Sequence, residues 1–165
     1  FALKLKPDYC CIVPEKRDEK TTEGGLILPS TNTLKFKNFS DNIKKLSNEG
    51  IKVSLFIDPN IESVQLSKDL GADIVELHTG HYANEFNTIN EFEMIDNITS
   101  SAEFADKLGL LVNAGHGLNY ENLNQLCKIQ SLNELNIGHS IISQAVFTGL
   151  KDAIKKIISI INNCD

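Results

Sequence analysis

The alternation of short apolar runs with helical patterns constrains the fold of this chain more than any other feature. Five such runs cover residues 9–13, 53–57, 74–77, 110–114 and 135–137. Each run is nearly continuous in apolar character, as strands buried on both faces of a parallel sheet are. Because helical patterns separate the runs, the repeated strand–helix order predicts a parallel α/β protein.

Caps and periodicity indicate where the helices lie. The expected boundaries are Ser40 to Gly50, Asp58-Pro59 to Gly71, one or two helices within residues 88–108, and a helix capped by Asn119. The last helix has the clearest pattern, because Ile154, Ile157, Ile158 and Ile161 form an i, i+3, i+4, i+7 stripe.

Chain length is compatible with part of a closed barrel. Five units in 165 residues extrapolate to about 264 residues for eight units, close to the ~250 residues of a (β/α)8 TIM barrel. We therefore expect residues 1–165 to form a single domain that supplies about strands four to eight, with the first three or so strand–helix units absent from the sequence. A complete, open five-stranded sheet fits the same arithmetic.

Net charge and composition indicate which kinds of molecule the protein does not bind. The net charge of −6 provides no basic field, so we expect neither nucleic acid nor membrane as a partner. The apolar stretches are shorter than the ~20 residues of a membrane helix, and no leader pattern opens the chain, which predicts a cytoplasmic protein. The cysteines lack metal or disulfide spacing, so we expect buried, reduced thiols at Cys10, Cys11, Cys127 and Cys164.

Polar residues interrupt three successive predicted strands at their ends. They are Glu76 and His78, then Asn113 and His116, then Asn136, Gly138 and His139. Any one of them could be a hydrogen-bonded core residue. Three neighbouring strands that end in this way favour a functional rim, because catalytic groups of α/β barrels collect at the C-terminal ends of strands.

Two glycine-flanked histidines are the sharpest candidates. In Gly115-His116-Gly117 the glycines permit a tight turn that presents the imidazole, which suits His116 for proton transfer. Gly138-His139-Ser140 precedes a short helical stretch, the usual position of a barrel phosphate site. The alternative for this second segment is a plain capping turn at Ser140.

The charged segment of residues 14–25 follows the first strand and ends in two glycines. A solvated loop and a substrate-covering lid both fit this composition, and we favour the lid. No metal is expected, because His78, His81, His116 and His139 lack the ligand spacing of known zinc motifs.

Several long strings, in order, closely resemble the pyridoxine 5′-phosphate synthase family, which closes the pyridine ring of vitamin B6. They are VPEKR…TTEGG, VSLFIDP, GADIVELHTGHYA, LGLLVNAGHGLNY, ELNIGHSII and TGLKDAI. The resemblance runs from about Tyr9 to the final helix, and residues 26–38 diverge.

This resemblance implies a specific reaction and specific roles. The family condenses 1-deoxy-D-xylulose 5-phosphate with 3-amino-2-oxopropyl phosphate, without metal or redox cofactor, and releases phosphate and water. By resemblance, the roles are proton donation by His116, transition-state stabilisation by Glu76, deoxyxylulose phosphate binding by Thr21, and aminoketone phosphate binding by Gly117, Gly138 and His139.

The resemblance also implies further acid–base residues outside this sequence and association with copies of the same protein. The family's other acid–base groups lie on earlier strands, which would precede Phe1. The family forms homo-oligomers built from dimers, up to an octamer.

Two other functions remain open from the sequence. One is a different phosphate-binding barrel, such as an epimerase or an aldolase, for which Lys16 is the only Schiff-base candidate after a predicted strand. The other is a truncated module that binds phosphate ligands without turnover.

Overall fold

A computed structural model of the chain describes residues 1–14 and 24–164. Its five strands pair in chain order, and every pair is parallel. The strands are β1 (Tyr9–Ile12), β2 (Lys52–Ile57), β3 (Ile74–His78), β4 (Leu111–Gly115) and β5 (Glu134–Asn136). The sheet is curled. The predicted parallel α/β arrangement is therefore confirmed, and the curl is consistent with part of a barrel.

Helices connect the strands and cover one face of the sheet. In the described part of the chain they are α1 (Ala2–Leu5), α2 (Leu34–Ser47), α3 (Ile61–Leu70), α4 (Gly80–Glu85), α5 (Glu91–Lys107), α6 (Leu123–Leu126), α7 (His139–Thr148) and α8 (Leu150–Asn162). None of these helices is long and apolar enough to cross a bilayer.

The start of α2 differs from the prediction at Ser40. Thr33 is the N-cap, and its Oγ1 accepts a hydrogen bond from the Phe36 amide at 3.1 Å. Ser40 lies inside the helix and is buried. The earlier cap adds helix turns, and Phe36 in these turns packs against the core. The capping preference of Ser40 alone could not predict this packing.

Two other helices begin a few residues later in the structure than the sequence predicted. Asp58-Pro59 precedes α3, because Asn60 is the N-cap and accepts a hydrogen bond from the Ser63 amide at 2.8 Å. Asn119 does not cap α6; it accepts hydrogen bonds from the amides of Glu121 and Asn122, and α6 follows Asn122. In both cases a polar turn forms before the helix begins.

The two faces of the sheet differ in polarity. Strand register places Leu55, Val75 and Val112 side by side on the helix-covered face, where they form part of the buried core. On the opposite, inner face, Cys11 lies beside Ser54, and Glu76, Asn113 and Glu134 lie side by side on β3, β4 and β5. The prediction that the strands are apolar on both faces therefore holds only for the outer face.

The prediction of four buried thiols is wrong. All four cysteines are free, but Cys11 is exposed, and Cys10, Cys127 and Cys164 are half-buried. Cys11 lies on the inner face, beside Ser54 and in contact with Glu76. The stripe on α8 is also only partly buried: Ile157 is 4% exposed, whereas Ile154, Ile158 and Ile161 are 37–49% exposed.

Candidate functional site

A cavity of about 810 Å³ lies at the C-terminal ends of the strands. Its lining includes the predicted site residues Glu76, His116, Gly117, Gly138 and His139, together with Val13, Phe56, Asn136 and Ser140. The structure thus brings these predicted residues to one place. Thr21 lies outside the described residues, so its position stays a prediction.

Another cavity, of about 720 Å³, lies at the opposite end of the sheet. Leu110, Leu111 and Asn133 line it, and they stand at or just before the starts of β4 and β5. In α/β barrels the N-terminal ends of the strands serve stability, whereas chemistry takes place at the C-terminal ends. The cavity beside Glu76 is therefore the candidate active site.

The carboxylate of Glu76 is positioned by its neighbours on the inner face. Cys11 Sγ donates to Glu76 Oε2 at 3.6 Å. Gly115 leaves room for the carboxylate, because a Cβ there would lie 2.7 Å from Glu76 Oε1. Although the surface of Cys11 is partly open to solvent, desolvation of its sulfur and then the charge of Glu76 raise the pKa of Cys11 to about 11. The thiol therefore stays protonated and can donate.

A strained turn directly after β4 presents His116 to the cavity. His116 has φ 87°, a left-handed conformation that is uncommon outside glycine. The fully buried Thr79 donates from its Oγ1 to the His116 carbonyl at 2.6 Å, and its amide donates to the Gly115 carbonyl at 2.8 Å. Gly117 has φ 76°, and a Cβ there would lie 2.6 Å from Ala83 Cβ in α4. The glycine-flanked turn is thus held tightly against α4.

A second histidine, His78, packs behind His116. Their ring centroids are 5.0 Å apart, and His78 is only 2% exposed. The pKa of His78 is lowered, mainly by burial and secondly by the neighbouring His116. The carboxylate of Asp58 raises it and so opposes this shift. Gly80 permits this packing, because a Cβ there would lie 2.6 Å from His78 Nε2 and 3.0 Å from His116 Cδ2.

The start of α7 faces the same cavity. Gly138 is the residue before the helix, and no side chain caps the first turn. Ser140 instead donates from its Oγ to the Leu118 carbonyl at 2.8 Å, so the alternative of a capping turn at Ser140 is wrong. A Cβ on Gly138 would meet nothing within 4 Å. The space beside these backbone amides is therefore free for a ligand.

The end of the charged segment lies against β2, close to the site. The Gly25 amide donates to Asp58 Oδ1 at 2.8 Å, and the Leu26 amide donates to the Phe56 carbonyl at 2.8 Å. Only glycine fits at this position, because a Cβ on Gly25 would lie 2.1 Å from the Asp58 nitrogen. The predicted lid covers residues 14–25, and most of it, residues 15–23 including Lys16, lies outside the described residues.

The predicted site residues line the cavity, but the sequence pattern did not single out Thr79, which braces the His116 turn, or Asp58, which contacts Gly25 and His78. Asp58 directly follows the predicted strand of residues 53–57, and Thr79 lies two residues after the predicted strand of residues 74–77. Polar residues just after a strand are candidates for bracing a site, and this is the signal that could have found them.

The chain resembles proteins of vitamin B6 biosynthesis. The sequence model of the family described as "Pyridoxal phosphate biosynthesis protein PdxJ" matches residues 1–163. A protein from Coxiella burnetii (strain RSA 493 / Nine Mile phase I), named pyridoxine 5′-phosphate synthase, is 47% identical over 98% of this chain and 65% of its own length. Proteins of the same name from Prochlorococcus marinus (strain MIT 9312) and Legionella pneumophila (strain Corby) are 47% and 46% identical, over 99% and 94% of this chain and 66% and 61% of their own lengths. The chain thus spans just under two thirds of the length of these relatives.

Proposed function

Because this chain belongs to the PdxJ family of pyridoxal phosphate biosynthesis proteins, we propose that it contributes the C-terminal part of a pyridoxine 5′-phosphate synthase. The reaction joins 1-deoxy-D-xylulose 5-phosphate with 3-amino-2-oxopropyl phosphate and yields pyridoxine 5′-phosphate, inorganic phosphate and water. The observation that carries the proposal is that Glu76, His116 and the start of α7 line one cavity.

The five strands supply about strands four to eight of a (β/α)8 barrel. Two observations support this: the sheet is curled and wholly parallel, and the chain covers 65% of the Coxiella relative. Closing the barrel requires about three further strand–helix units beside β1 and β5. Those units would bring the family's remaining acid–base groups to the same rim.

Proton transfer explains the residue types in the cavity. The amine of one substrate condenses with the ketone of the other to an imine, and elimination of water and phosphate precedes closure of the ring. Each step moves protons, so acids and bases tuned near neutrality are needed. His116 protonates a leaving hydroxyl, and Glu76 stabilises the positive charge that develops at the imine nitrogen.

The start of α7 provides the site for the aminoketone phosphate. Backbone amides at a helix N-terminus, together with the helix dipole, favour an anion. Gly117, Gly138 and His139 line this part of the cavity. Such a local site lets a protein of net charge −6 bind an anionic substrate. By the family resemblance, Thr21 contacts the phosphate of the other substrate.

Substitution of the two proposed catalytic residues in the full-length enzyme tests the function. We expect His116→Asn and Glu76→Gln each to reduce kcat by about 10²- to 10⁴-fold, because each removes one acid–base or electrostatic contribution. Product formation from both substrates is the readout, and circular dichroism checks folding. His81→Asn and Glu121→Gln, at exposed positions outside the cavity, serve as matched controls in metal-free buffer. Wild-type turnover by His116→Asn would overturn the assignment.

The aldolase and epimerase alternative gains no support from the described residues. No lysine lines the cavity there, and Lys16 is not described. Borohydride treatment in the presence of a sugar phosphate should leave the protein mass unchanged. A covalent adduct on Lys16 would instead favour the aldolase.

The proposal extends to assembly and location. Exposed apolar side chains on α7, including Val146 and Phe147 at 79% and 86% exposure, favour association into a dimer-based homo-oligomer, up to an octamer as the family resemblance implies. We place the enzyme in the cytoplasm. Light scattering of the full-length protein measures the oligomeric state.

A further inference from the structure

We propose that Asp58, His78 and His81 form a binding site for a divalent transition-metal ion, of the class of Zn²⁺ and Co²⁺. Asp58 directly follows β2, His78 ends β3, and His81 lies in the first turn of α4. The three side chains line a cavity of about 350 Å³ that is separate from the one containing Glu76 and His116.

Three potential ligand atoms, one from each side chain, lie within 4.8 Å of one another. Metal–ligand bonds of roughly 2.0–2.1 Å would place tetrahedral ligand atoms about 3.4 Å apart. The side chains must therefore close by about an ångström around an ion. His81 is exposed and can do so by rotating, whereas His78 is held by its surroundings.

The buried imidazole of His78 points to a missing ligand. Its side chain is 2% exposed, and neither ring nitrogen has an aligned hydrogen-bond partner among the described residues. Nδ1 lies 3.3 Å from Asp58 Oδ1, but this contact lacks hydrogen-bond alignment. Buried polar atoms without partners are costly and rare in folded proteins. A bound ion would satisfy one of these nitrogens.

The donor set selects the kind of ion. Two imidazoles and one carboxylate suit zinc, cobalt and nickel, whereas magnesium and calcium prefer oxygen ligands. The Gly25 amide donates to Asp58 Oδ1 at 2.8 Å, which orients the carboxylate as an outer-shell partner does in known metal sites. With three protein ligands, a fourth position stays open to water.

A metal ion here would act on the neighbouring active site. The His78 ring is 5.0 Å from the His116 ring, so an ion bound to His78 would place positive charge directly beside the active site. This consequence, inhibition of turnover by the ion, depends on the proposed function. The binding site itself does not.

Cobalt titration of the full-length protein, after treatment with a chelator, tests the site. We expect one Co²⁺ per chain by calorimetry, with visible absorption of a nitrogen and oxygen environment and no thiolate charge-transfer band. His81→Asn should weaken Co²⁺ binding about tenfold or more, because one of the three ligands is lost. His139→Asn, which removes the other exposed histidine outside this cluster, should bind Co²⁺ like the wild type.

The possible results test the metal site independently of the proposed synthase function. Equal Co²⁺ affinity in His81→Asn and the wild type, or a thiolate band, would overturn the metal site. Inhibition by Co²⁺ in the wild type but not in His81→Asn would support both the site and its effect. If the protein lacks synthase activity altogether, the proposed function fails, while the titration still decides the metal site.

Discussion

At the scale of single residues, the left-handed backbone of His116 depends on Thr79. Thr79 is fully buried and donates to the His116 carbonyl across 37 positions of sequence. We expect Thr79→Val, which keeps the shape but removes the hydroxyl, to lower kcat about 10- to 100-fold with little change in KM, because the imidazole shifts. The carbonyl left unpaired should also cost about 1–3 kcal/mol of stability.

Steady-state kinetics and urea unfolding of Thr79→Val, with Thr79→Ser alongside, measure these effects. Serine retains the hydroxyl and should restore most of kcat. If Thr79→Val is less stable but turns over like the wild type, Thr79 has only a structural role.

The residues that line the cavity were predictable, whereas those that hold them were not. Glu76 and His116 interrupt or follow apolar runs, and the strand ends of a parallel sheet share one edge, so their proximity follows from the pattern. Thr79 and Asp58 act through partners distant in sequence, Thr79 on His116 and Asp58 on Gly25. Such contacts depend on how elements pack, so the position after a strand marks these residues as candidates but does not identify their partners.

At the scale of elements, Tyr82 ties α4 to the segment before α6. Its side chain is 1% exposed, and its hydroxyl donates to the Asn122 carbonyl at 2.7 Å. Burial is the main cause that raises the pKa of Tyr82 to about 12. An unfolded tyrosine ionises near pH 10, so the folded state retains the proton over a range in which the unfolded state loses it.

The pKa shift predicts the pH dependence of stability. Because the folded pKa is raised, the contribution of Tyr82 is complete below about pH 10 and is lost as the pH rises towards 12, by on the order of 2–3 kcal/mol. We expect Tyr82→Phe to be about 1 kcal/mol less stable at pH 8, where it lacks the hydrogen bond. The difference should shrink or reverse by pH 11.5. Urea unfolding of both proteins across this range is the measurement, and a constant difference would contradict the account.

Strands were easier to place than helix starts. The predicted runs match β1 to β5 closely, because short apolar runs bounded by turn and helix signals are typical of strands. Helix starts depend on a choice between nearby capping residues. Thr33 rather than Ser40 caps α2, and Asn60 rather than Asp58-Pro59 starts α3, choices that are settled by the packing of the whole helix against the core.

At the scale of the whole molecule, the sheet formed by the described residues has two edges and an inner face with exposed polar groups. β1 and β5 each have one strand partner, and Cys11, Glu134 and Asn136 are exposed on the inner face. Apolar patterning predicted the outer face, because burial against helices requires it. The polar inner face instead carries Glu76, and under the proposed function further strands that close a barrel would complete the set of active-site groups.

Supplying further strands from a relative tests closure and function together. The match to this chain covers 65% of the Coxiella burnetii relative, and we would join the part of that relative that precedes the match to Phe1. We expect the chimera to form pyridoxine 5′-phosphate and to melt roughly 5 °C or more above residues 1–165 alone, because both sheet edges and the inner face become covered. Residues 1–165 alone should show no turnover, because the proposed function places further acid–base groups on earlier strands. Adding His116→Asn should abolish the activity of the chimera. Turnover by residues 1–165 alone would show that no further strands are needed, and a folded but inactive chimera would favour a module that binds phosphate ligands without catalysis.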